Sequence, residues 1–181
     1  NHTSQKYRLE DNIVKHYPAQ IATMKERLAG YRADIQTYQQ NKFPDKDIFS
    51  MKIGNRVYTE KKEAGAALID MCRSAKQPNM AVTIGEYQGF KMSVSYDSFF
   101  SKFTVNLKGS ISHEVEIGAD PLGNLQRLSN ALEGMGKRME EVAQKLENVE
   151  HQLETAKVEV TKPFPQEAEL AEKLERLTEL N

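Results

Sequence analysis

At 181 residues, with 28% charged and 39% hydrophobic side chains, the chain can build one real core but carries much surface. A net charge of −1 removes any bulk electrostatic pull toward nucleic acid or membrane. The lone Cys72 excludes an internal disulfide and suits a reducing compartment. No apolar run approaches the length that a bilayer needs and no signal peptide is recognisable, so a cytoplasmic location without membrane contact is expected.

Apolar residues Val14, Tyr17, Ile21, Met24, Leu28, Tyr31, Ile35 and Tyr38 recur at alternating steps of three and four. This heptad pattern predicts a first arm helix over residues 5–42 with one narrow seam to bury. Pro18 should kink or restart it. Residues 43–119 change character and predict an α+β unit. Phe49, Met51 and Ile53 alternate, Gly54-Asn55 turns the chain, and Val57 resumes on the far side. Thr59 is placed to cap a helix whose stripe is Ala64, Ala67, Leu68, Met71, Cys72 and Ala75. Alternating runs follow at Val82–Ile84, Phe90–Tyr96, Phe103–Leu107 and Ile111–Ile117, with turns at Gln88-Gly89 and Gly109-Ser110. Five or six short antiparallel strands, with the helix on their apolar face, satisfy these stripes.

Asp120 and Pro121 start a second arm helix over 120–161. Its seam is Leu125, Leu128, Leu132, Met135, Met139, Val142, Leu146, Val149, Leu153 and Ala156. A Pro-bounded linker and a short acidic helix complete residues 162–181. The fold class expected is therefore α+β: a long antiparallel coiled-coil helical hairpin with a small antiparallel β-sheet plus one helix inserted at its tip. The heptads also allow a homodimer through the coiled coil.

Strand alternation turns Lys52, Lys91, Ser93, Ser95, Lys102, Thr104, Asn106 and Lys108 away from the apolar face. Lys52, Lys91, Lys102 and Lys108 are the candidate nucleic-acid-binding residues, since a Lys-dotted sheet suits a phosphate backbone. The bland alternative is a solubilising face whose lysines guard against edge aggregation, with Glu114 and Glu116 diluting the charge. No catalytic constellation is visible. Gly134 and Gly136 lack the Lys-Ser/Thr of a phosphate loop. His2, His16, His113 and His151 have no metal-ligand spacing with each other or with Cys72, so no metal site is expected. Cys72 falls on a helix stripe and reads as a packed thiol.

Three stretches carry a resemblance: Tyr58 to Gly65, Gly118-Ala119-Asp120-Pro121-Leu122-Gly123-Asn124-Leu125 through Gly134, and Lys162-Pro163-Phe164-Pro165-Gln166-Glu167. Together with Ile84-Gly85-Glu86-Tyr87-Gln88-Gly89-Phe90, they resemble the C-terminal region of large helicase/DNA-methylase polyproteins of bacterial conjugative or phage-like elements. The resemblance implies a parent with a Swi/Snf-type, superfamily-two helicase using ATP and Mg, sometimes joined to an adenine-specific methylase. None of the corresponding motifs occurs in this chain, so the fragment is expected to be a non-catalytic accessory module with no cofactor of its own. Other domains of the parent are its expected partners; DNA contact through the tip sheet is one reading, and a coiled-coil protein-interaction or self-association module without DNA contact is the alternative.

Overall fold

The computed structural model describes residues 2–161, with side chains from residue 4 onward. Their helices and strands sort into two compact units: residues 2–26 with 141–161, and Arg27–Glu140. The linker and last helix expected at 162–181 lie outside the described residues.

In the first stretch, α1 (His2–Asp11), a π-helical turn (Asn12–His16) and α2 (Tyr17–Asn41) follow one another. The π turn sits just ahead of Pro18, and the Tyr17 amide donates five residues back to the Asn12 carbonyl. A proline ring crowds the carbonyl four residues before it, and a widened turn absorbs that crowding without ending the helix. In the same unit, Val149 and Ala156 of the helix that ends at Thr161 are buried, whereas Val14 is exposed.

The second unit is built on a six-stranded, wholly antiparallel sheet. Its strands are β1 (Met51–Ile53), β2 (Arg56–Tyr58), β3 (Val82–Tyr87), β4 (Phe90–Asp97), β5 (Lys102–Lys108) and β6 (Ser112–Ile117), in spatial order β2-β1-β3-β4-β5-β6. Gln88 and Gly89 both take positive φ, 47° and 88°, the paired left-handed corners that match the twist of a two-residue hairpin. One sheet face is apolar, with Met51, Ile53, Phe90, Met92, Val94, Val105, Leu107, Val115 and Ile117 all buried. Helix α3 (Lys61–Ser74) presents Ala64, Leu68 and Cys72 to the interior and packs on β1 and on α4 (Pro121–Glu133). Its N-cap is Glu60 rather than Thr59, and it makes no side-chain capping bond. Asp120 does occupy the cap of α4 ahead of Pro121, again without a side-chain bond. Buried Asn124 instead secures that corner, accepting from the Gly118 amide at 2.8 Å and donating to the Gly118 carbonyl at 3.0 Å.

The expected long hairpin with a small insert at its tip is corrected by this arrangement. The sheet is the main body of its unit, and helices are spent covering it. Leu28 and Tyr31 of the first seam, and Leu125, Leu128, Leu132 and Met135 of the second, are buried within Arg27–Glu140. The expected second arm helix is also two helices, α4 and α5 (Met135–Thr161), meeting at Gly134. A heptad stripe states that one helix face must be covered, not what covers it. In this unit the cover is shared: α4 packs on both α3 and β6.

Candidate nucleic-acid interface

Among the described residues nothing covers the face of the sheet opposite the helices, and its polar character follows from strand alternation: every second residue of β4, β5 and β6 must point there. Cross-strand register sorts these side chains into rows. One row crosses all six strands as Val57, Lys52, Glu86, Lys91, Lys108 and Ser112, all exposed. Lys91 and Lys108 are direct cross-strand partners, a like-charge pairing that an ordinary solvent face avoids. Glu86 lies between Lys52 and Lys91 and is the single carboxylate in the row.

Lys102 is not part of that row. It stands at the other end of β5, six residues from Lys108, or roughly 20 Å along the strand. Its ammonium lies 3.0 Å from Glu116 Oε1 in an exposed ion pair. Such a pair contributes about 0–1 kcal/mol to stability, but it occupies the lysine that a phosphate would need. Three of the four candidate lysines thus share a row and the fourth is answered by a neighbouring strand.

Between the rows lies Ser93, flanked across strands by Thr83 and Asn106. Although it belongs to the uncovered face, it is buried, and its hydroxyl has no hydrogen-bond partner among the described residues. An unanswered buried hydroxyl costs about 1–3 kcal/mol.

Two features escaped the sequence reading. The β4–β5 hairpin ends in Phe99 and Phe100, 86% and 63% exposed, with ring centroids 4.8 Å apart. Asp97 Oδ1 accepts from both of their amides, at 2.9 and 3.2 Å, which fixes the tip that carries the rings. The signal was present as two adjacent aromatics between a strand's end and Ser101. The second feature is a buried pair, Asp34 and His113. Asp34 Oδ2 meets His113 Nε2 at 2.7 Å, while its two oxygens accept from the Ser110 amide at 2.6 Å and the Ile111 amide at 3.2 Å. Nothing local to either residue announces a partner so far along the chain.

Cys72 lies in the core, and burial pushes its thiol up to about 11, away from the thiolate a nucleophile needs. Burial likewise raises the phenols of Tyr87 and Tyr38, with the Glu133 carboxylate adding to the effect on both. Among the described residues no three His, Cys, Asp or Glu side chains gather as a metal site, and no helix is long and apolar enough to cross a membrane. No family model, curated protein or solved structure matches the chain.

Proposed function

We propose that the chain is a non-catalytic accessory module of a larger bacterial DNA-processing polypeptide of the helicase or helicase–methylase type, acting in the cytoplasm and resting against the DNA backbone through the open face of its sheet. The observation that supports this reading is the lysine row: Lys52, Lys91 and Lys108 stand on one uncovered surface, with Lys91 and Lys108 held side by side against their mutual repulsion. A phosphate chain relieves that repulsion, and a flat sheet face gives it room. The parent's ATP- and Mg-dependent chemistry rests on the sequence resemblance alone.

The test is fluorescence anisotropy of the chain with short duplex and single-stranded DNA across a salt series. Replacing Lys52, Lys91 and Lys108 by alanine should weaken binding and flatten the plot of log affinity against log salt by about 0.9 per lost duplex contact. Absence of binding to either form at low salt would sink the proposal.

The exposed Phe99–Phe100 tip favours a second reading, a protein-interaction module without DNA contact, because adjacent exposed aromatics are characteristic anchors of interfaces. Sedimentation of the wild type and of Phe99→Ser/Phe100→Ser distinguishes the two. Concentration-dependent assembly that the double variant abolishes supports the interaction reading.

A further inference from the structure

The edge of the sheet at β6 carries a second polar site whose residues are not those of the lysine row, apart from Ser112 at that row's end. Arg27 and Tyr31 from α2, Ser112, His113 and Glu114 from β6, and Arg138 from α5 line a concave space of about 410 Å³. That size lies at the lower end of the range of small-ligand pockets. All six residues belong to the Arg27–Glu140 unit.

The walls are held from behind. Asp34 takes His113 Nε2–H as a donor, and the His113 ring packs beside Tyr31 and edge-on to Phe90, with centroids 5.8 and 5.9 Å away. His113 is 5% exposed and its Nδ1 has no hydrogen-bond partner among the described residues. Arg27 sits over the Tyr31 ring, its carbon 5.5 Å from the centroid and its Nη2 3.3 Å from the phenol oxygen. Arg138 spends one N–H on the Ala131 carbonyl. Neither guanidinium has a carboxylate within 4.0 Å among the described residues. Each therefore keeps most of its five donors, and two full positive charges face one, that of Glu114.

We propose that this space binds a phosphomonoester group. Two arginine forks suit an oxyanion, and the Tyr31 and Ser112 hydroxyls add donors beyond what the two oxygens of a carboxylate can use. A phosphoryl group has three terminal oxygens to meet them. The group can arrive on a small phosphorylated molecule or as the 5′-phosphate end of a nucleic-acid strand, and the chemistry of capture is the same.

Isothermal titration of the whole chain with inorganic phosphate, with a nucleoside 5′-monophosphate, and with one oligonucleotide with and without its 5′-phosphate tests this. Saturable binding of the phosphorylated ligands is expected, and Arg27→Gln or Arg138→Gln should weaken it at least about tenfold. Arg27→Lys keeps the charge but loses the fork, so it should recover only part of the affinity. A preference for the phosphorylated oligonucleotide assigns the site to strand ends; equal binding of nucleotide and phosphate assigns it to small molecules. No saturable binding of any phosphorylated ligand, or binding that Arg27→Gln leaves intact in a folded variant, overturns the proposal. The Lys52, Lys91 and Lys108 substitutions should leave phosphate binding unchanged, so failure here and failure of the sheet-face reading are separable.

Discussion

Asp34 and His113 stand 79 residues apart in the chain and 2.7 Å apart in space, each nearly without solvent. The Asp34 carboxylate also accepts two backbone amides of the β5–β6 turn, so one helical side chain holds both the loop and the first residues of the strand it leads into. The helix approaches closely there because Gly30 and Gly109 lack side chains: a Cβ on Gly30 would overlap Ile111, and one on Gly109 would overlap Asp34. The same pair backs the wall of the phosphate site.

Removing the carboxylate strands one buried donor, on His113, and two part-buried backbone amides. Asp34→Ala should lower the free energy of unfolding by about 3–5 kcal/mol, as for other broken buried polar pairs. His113→Phe should cost less, because Asp34 keeps its two backbone amides. Urea unfolding of both variants checks the order, and an Asp34→Ala loss below that of His113→Phe would contradict it.

Glycine-to-alanine changes should divide by environment. Gly136 has nothing within 4 Å of the position a Cβ would take, so Gly136→Ala should stabilise helix α5 by roughly 0.5–1 kcal/mol. Gly30→Ala makes the same gain in helix propensity but forces Ile111 away, and overpacking of this kind costs about 1–3 kcal/mol. Opposite shifts in thermal midpoint are expected.

Cys72 makes stability depend on alkaline pH. Below its ordinary value of 9.0 the thiol is neutral in both folded and unfolded chains, and the fold keeps its full stability. From 9.0 to about 11 the unfolded chain ionises while the buried thiol does not, so stability falls as pH rises. Tyr38 and Tyr87, also raised by burial, act with the same sign. Urea midpoints at about pH 8 and about pH 10.5 should show a smaller drop for Cys72→Ala than for the wild type. An equal drop would assign the loss to the tyrosines.

The lysines should not be equivalent. Lys102 is already answered by Glu116, so Lys102→Ala should weaken DNA binding less than Lys91→Ala or Lys108→Ala. Glu116→Gln should strengthen it by freeing Lys102. In urea unfolding Ser93→Ala should not destabilise the fold, since it removes a hydroxyl that has no partner among the described residues. Equal losses for all three lysines would argue against the row as the point of contact.

What the sequence determined by itself was local. Alternation along β4, β5 and β6, the Gln88-Gly89 corner, the 3.6-residue stripe of α3 and the polar identity of the open face are written in neighbouring residues, because periodicity and backbone sterics act over a few positions. The lysine row was half legible: alternation gave the face, while register, which depends on turn geometry, separated Lys102 from Lys52, Lys91 and Lys108. Only the tertiary structure decided where the heptad seams are buried and which residues meet across the chain. Leu28, Tyr31, Leu125 and Leu132 carry the same pattern whether a helix or a sheet covers them, and in the fold all four are buried in the sheet's own unit. Asp34 looks like any polar helix residue until the β5–β6 turn arrives to donate to it. Of the two helices expected to form the hairpin, residues 27–41 and 121–140 belong to the sheet's unit and the rest of their length to the other.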